Sequence, residues 1–163
     1  MTTYRGETAM SVTFEALPTD LVEALRSGAP DANGMVAERM VSDGQGMPCR
    51  HCLRNVPAGR EALVLNHRPF AALHPYAESG PIFLCADACA PGDGPAPELL
   101  TYSPDFLVKA YNAEERIIYG TGAITPAEEV ASRCETLLRD PEVAFVDVRS
   151  ARNNCFLTRA KRV

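Results

Sequence analysis

The chain has 163 residues, 46% of them hydrophobic and 23% charged, which is enough apolar matter for one core without covalent staples. Its net charge is −5, from 16 basic and 21 acidic residues, and it has no basic run long enough for the stripe of a nucleic-acid binder. No apolar run approaches the ~20 residues that span a bilayer, and the N-terminus has no basic segment followed by an apolar one. The expectation is therefore a cytoplasmic protein with no membrane and no nucleic-acid partner. In a reducing compartment its six cysteines read as core residues, metal ligands or reactive thiols rather than as a disulfide framework.

Residues 1–9 are polar and read as a flexible tail, leaving residues 10–163 as one α+β domain. Val12, Phe14 and Ala16 alternate along Ser11 to Leu17, which predicts a strand. Thr19 can cap a short helix carrying Leu21, Val22, Ala24 and Leu25, with Gly28 to end it. Met35 to Asp43 reads as a polar strand. Asp43 to Cys52 is a loop by its glycines and proline. Glu61 to His67 and Pro81 to Ala86 are apolar strands flanking a loop with Arg68-Pro69-Phe70 and His74-Pro75-Tyr76. A second proline-rich loop runs from Cys89 to Pro97.

Phe106 to Tyr111 and Arg116 to Gly122 predict two strands joined by a turn at Asn112 to Glu115. Thr125-Pro126-Ala127-Glu128 has the form of a capping box with proline at the first helical position. It predicts a long helix over 126–139 with Val130, Cys134, Leu137 and Leu138 on its inner face. Val143 to Ser150 and Cys155 to Arg162 then close a hairpin around Arg152-Asn153-Asn154. Short turns favour antiparallel pairing. The predicted fold is a mainly antiparallel sheet, with one long C-terminal helix and one short N-terminal helix packed on it. The basic residues Arg159, Lys161 and Arg162 read as a solvated strand face.

Cys49-Arg50-His51-Cys52 carries the most chemistry. A thioredoxin-like thiol needs a helix after its first cysteine, and Pro57 and Gly59 leave no room for one. A zinc turn fits better, with Cys49 and Cys52 as one ligand pair and Cys85 and Cys89 as the other. His51, His67 and His74 are substitute ligands. Cys134 and Cys155 read as core residues. A second reading makes Arg50, His51, Tyr76 and Ser79 a site for a small anionic ligand, since arginine offers a planar donor fork, or makes Cys49 or Cys52 a thiol nucleophile. A third takes the cysteines as purely structural in a module that docks a protein partner. Glycine-rich phosphate loops, G-x-S-x-G and H-E-x-x-H are absent. The sequence leaves open whether the protein is an enzyme, and zinc is the only cofactor it points to.

Pro48-Cys49-Arg50-His51-Cys52-Leu53-Arg54, Arg68-Pro69-Phe70, Pro75 to Phe83 and Val148 to Phe156 together resemble a bacterial family, domain-of-unknown-function family 1203. The resemblance runs from Phe14 to Arg162. It implies a small bacterial single-domain protein and brings no activity with it. Against the family pattern, Cys85 stands where a histidine is expected, a swap that a metal position tolerates. Asn154 stands where glycine is expected, and asparagine is the next-best residue for a left-handed turn.

Overall fold

The computed structural model describes residues 11–163, so the tail expected over residues 1–9 lies outside the described residues. The strands form two antiparallel sheets rather than one. In chain order the elements are β1 (Val12–Glu15), α1 (Thr19–Arg26), β2 (Glu38–Val41), β3 (Glu61–His67), β4 (Gly80–Cys85), β5 (Asp105–Tyr111), β6 (Ala123–Pro126), α2 (Val130–Leu138), β7 (Phe145–Ser150) and β8 (Phe156–Arg162). The larger sheet has the order β1-β8-β7-β5-β6, and the smaller β2-β3-β4. No helix among the described residues is long and apolar enough to cross a membrane.

Each sheet has its own apolar layer and its own helix. Phe106, Val108 and Ala110 of β5 join Val146 and Val148 of β7 beneath Val130, Cys134 and Leu138 of α2. Leu63 and Leu65 of β3 and Ile82 and Leu84 of β4 join Val22 and Leu25 of α1. Phe156 of β8 belongs to this second layer and so ties the sheets together. Cys134 is fully buried as expected, and burial pushes its thiol up to about 12.

The N-terminal helix is short, as expected, but the C-terminal one is shorter than the sequence predicts. Thr125 and Pro126 belong to β6, where Thr125 pairs with Phe106 and Pro126 with Asp105. Thr125 Oγ1 donates to Ala123 O instead of capping a helix. Residues Ala127–Glu129 make one 3₁₀ turn before α2 begins at Val130. Pairing with β5 outcompetes the local capping signal, because a sheet edge offers backbone partners that an exposed first turn lacks. The strand expected over Arg116 to Gly122 is reduced to one bridge, between Tyr111 and Ile117, and β6 takes its place on β5. Of the basic C-terminal residues, Lys161 and Arg162 do face solvent, whereas Arg159 is mostly covered. Arg159 holds Asp147, and Arg162 donates to Leu138 O (2.9 Å) and Asp140 O (2.8 Å) at the end of α2.

Asn154 has φ 57°, in the hairpin between β7 and β8, so the glycine-like position is real. Asn154→Gly is expected to leave stability within ~0.5 kcal/mol. Asn154→Val should cost about 1–2 kcal/mol, the penalty of a left-handed conformation for a β-branched residue. Urea denaturation of the two variants checks this, and equal midpoints would contradict it.

Candidate metal centre

The segment from Met47 to Val56 doubles back on itself without regular secondary structure. Cys49 N–H donates to Arg54 O (2.8 Å) and Val56 N–H to Met47 O (2.9 Å), closing the base of a knuckle. Leu53 N–H donates to Cys49 O (2.9 Å), and Leu53 takes φ 58° to make the turn. That left-handed conformation costs a leucine about 1–2 kcal/mol, and full burial of its side chain offsets it. The rest of the turn's backbone is spoken for by its neighbours. Arg50 N–H donates to Phe83 O of β4, Leu17 N–H to Arg50 O, and Gly92 N–H to His51 O.

This anchoring brings the two cysteine loops together. The sulfurs of Cys49, Cys52, Cys85 and Cys89 all lie within 4.8 Å of one another. Cys49 and Cys89 are 4.0 Å apart and Cys52 and Cys85 3.9 Å. Four sulfurs at ~2.3 Å around one tetrahedral ion stand about 3.8 Å from each other, so the spacing suits a single metal. It is far too long for either pair to be a disulfide. All four cysteines are free thiols, Cys49 and Cys85 buried and Cys52 and Cys89 half-buried.

The surroundings donate to sulfur. Cys49 Sγ accepts from the backbone N–H of Cys85 (3.2 Å) and of His51 (3.4 Å). Arg26, in the last turn of α1, donates through Nη2 to Cys89 Sγ (3.1 Å) and through Nε to Cys85 O (2.9 Å). His51 is fully buried, with Nδ1 3.1 Å from Cys89 Sγ and Nε2 2.8 Å from Thr19 Oγ1. It therefore lies beside the four sulfurs as a neighbour and is not one of them. Hydrogen bonding between sulfurs splits the thiols into two kinds. Cys52 above all holds Cys49 down to about 6, and Cys49 likewise holds Cys89 down, while Cys52 and Cys85 are pushed up.

His67 and His74, the other substitute ligands, lie elsewhere. His67 packs against Phe156, and its imidazole is lowered to about 4 by burial and by Arg159 and Arg50. His74 sits 3.9 Å from Glu115. A cleft of about 630 Å³ opens beside the cysteines, with Cys52, Cys85 and Cys89 in its wall.

The residues expected to hold an anionic ligand do not assemble into one site. Arg50 is 3% exposed and donates from Nε to Phe156 O (2.7 Å) and from Nη1 to Pro48 O, joining the knuckle to the larger sheet. It lines a separate cleft of about 430 Å³ that Tyr76 and Ser79 do not reach. Tyr76 Oη is 2.9 Å from Tyr119 Oη, and Ser79 is exposed. Cys155, expected in the core, is half-buried and lines the same cleft as Arg50. Arg50→Lys should cost about 2 kcal/mol, because an ammonium cannot reach both carbonyls and leaves one buried and unpaired. That corresponds to about 4–8 °C in melting temperature. A melt superimposable on wild type would refute the bridging role.

Sequence reasoning did not anticipate Arg26, whose place opposite Cys89 depends on how α1 packs. It also missed a charged layer in which Lys109, Asp147 and Arg149 are buried and Arg159 is mostly covered. The signal was present: a lone lysine in Phe106 to Tyr111, and Asp147 and Arg149 inside Phe145 to Ser150.

No curated protein and no solved structure matches the chain. Residues 46–162, from the knuckle to the end of β8, match the family described as Protein of unknown function (DUF1203); that is well over half of the chain, and the chain belongs to this family.

Proposed function

We propose that the protein is a zinc-binding domain in which Cys49, Cys52, Cys85 and Cys89 ligate one ion that holds its two irregular loops in place. One observation carries this reading: four sulfurs from two loops lie within 4.8 Å of one another. Four cysteines form a full structural ligand set, with no position left for a reacting water. The hydrogen bonds from Arg26 and from the backbone of His51 and Cys85 fit thiolates, because each places a donor against sulfur. The arrangement favours a structural or regulatory role over catalysis at the metal. The thiol-nucleophile alternative asks for one reactive cysteine, whereas here four share a cluster.

Elemental analysis of protein purified without a histidine tag tests the reading. The expected result is one zinc per chain, with X-ray absorption giving four sulfurs at ~2.3 Å. Iron in place of zinc would overturn the assignment of the metal. A metal-free protein whose melting temperature does not respond to added zinc would overturn the site.

A further inference from the structure

The face of the larger sheet turned away from α2 carries charge where a sheet face under a loop is normally apolar. Strand alternation puts Lys109 and Tyr111 of β5 there, with Asp147 and Arg149 of β7 and Arg159 of β8. Arg159 and Asp147 satisfy one another, Nε to Oδ1 at 2.7 Å and Nη2 to Oδ2 at 3.1 Å. Lys109 and Arg149 are left over.

Arg149 is 4% exposed. Its Nη1 donates to Asn154 O (3.1 Å), but Nε and Nη2, the two nitrogens that meet a carboxylate side-on, have no hydrogen-bond partner. The carboxylate of Asp147 stands 4.0 Å from Nη2, too far for a hydrogen bond. Tyr111 Oη is also buried without a partner, as is His74 Nε2. Among the described residues six buried side-chain atoms lack partners, and four of them belong to this layer and its cover. Polar groups buried this way are ordinarily paired, so their concentration points to a ligand.

The cover is the loop between β3 and β4. Phe70 packs against Tyr111, with ring centres 5.5 Å apart. Glu78, partly exposed, hangs its carboxylate over the two spare cations. Oε1 is 3.6 Å from Lys109 Nζ and Oε2 3.7 Å from Arg149 Nη1, ion-pair separations too long for hydrogen bonds. Asn154 Nδ2 donates to the same Oε2 at 3.2 Å.

We propose that this layer binds a small carboxylate ligand, whose carboxylate fills the free Nε–Nη2 fork of Arg149 and competes with the neighbouring carboxylate of Glu78 for the charge of Lys109 and Arg149. The fork is planar and offers two donors, with Tyr111 Oη for a third. A phosphoryl group would set further negative oxygens beside buried Asp147. The proposal uses none of the cysteines and stands apart from the zinc reading.

NMR of ¹⁵N-labelled protein, following the Arg149 Nε–H resonance, tests it with succinate and separately with inorganic phosphate as probes. Succinate is expected to shift that resonance saturably, and phosphate to do so more weakly. Glu78→Gln, a change at a partly exposed residue, should bind succinate at least threefold more tightly because the competing charge is gone. Arg149→Lys, which keeps the charge and loses the fork, should abolish the rise in melting temperature that succinate produces in wild type. No saturable shift in either wild type or Glu78→Gln would overturn the proposal and leave these donors to water. Phosphate binding more tightly than succinate, or affinity unchanged or weaker in Glu78→Gln, would overturn it as well.

Discussion

Cys49→Ser is expected to empty the metal centre and lower the melting temperature by about 8–16 °C. Cys49 is the fully buried member of the four and accepts two backbone N–H donors, so its sulfur fixes the position of both loops. Serine supplies a shorter, harder and poorly acidic ligand in a place shaped for thiolate. Structural zinc contributes roughly 10–16 kcal/mol of apparent binding free energy in peptides that fold only with metal. Here both sheets have apolar layers of their own, so a loss of about 4 kcal/mol is the expectation. At about 2–4 °C per kcal/mol for a chain of this size, that gives the stated shift. Cys155→Ser is the control, since Cys155 lies outside the cluster. It should retain one zinc and melt within ~2 °C of wild type. Zinc stoichiometry and thermal melts of the two variants decide the matter, and equal zinc content in both would sink the assignment.

Gly92→Ala is the second large effect, and its cause is steric. A Cβ at Gly92 would stand 2.1 Å from Cys52 O, 2.6 Å from Cys52 C and 3.0 Å from Leu53 Cβ. The two closest of these are backbone atoms, which cannot rotate aside as the end of a side chain can. Gly92 N–H meanwhile donates to His51 O (2.8 Å), so the loop after Cys89 is held against the knuckle at this point. Alanine must push the two loops apart and take Cys89 away from its three partners. The expected cost is about 3 kcal/mol, together with a fall in zinc affinity of at least tenfold. Gly80→Ala, where a Cβ meets nothing within 4 Å, should stay within ~0.5 kcal/mol of wild type. Competition with a chromophoric chelator measures the affinity. A Gly92→Ala protein that holds zinc as tightly as wild type would show that the close contact does not matter.

Strands were legible in the sequence where side-chain alternation and burial coincide. Glu61–His67 forms with the predicted bounds, and β4, β5, β7 and β8 begin and end within two residues of expectation. The reading failed where a local signal competed with a distant partner. Thr125 and Pro126 carry every mark of a helix start, yet their backbone pairs with Asp105 and Phe106, which the local sequence cannot show. Cys49 and Cys52 could be named because C-x-x-C is a local pattern, and Cys85 and Cys89 because a second cysteine pair follows the next apolar strand. Arg26 could not, because 63 residues separate it from Cys89 and only the packing of α1 brings them together. The charged layer was hidden for a similar reason. Lys109, Asp147 and Arg149 each look like a solvated residue on an ordinary strand until the register shows that they share a face and the 68–79 segment covers it.

The family match begins at residue 46, after β1, α1 and β2 have already been laid down. Yet β1 forms the outer rail of β8, with Val12 to Glu15 paired to Arg162 to Arg159, and Phe14 is bonded on its other side to Gly94. A polypeptide cut to residues 46–162 would leave the whole length of β8 as a bare edge, with its amides and carbonyls open to any passing strand. It would also uncover the apolar surface that Leu17, Val22 and Leu25 now shield. The matched segment therefore depends on the residues that precede it to close its larger sheet and to cover its smaller one.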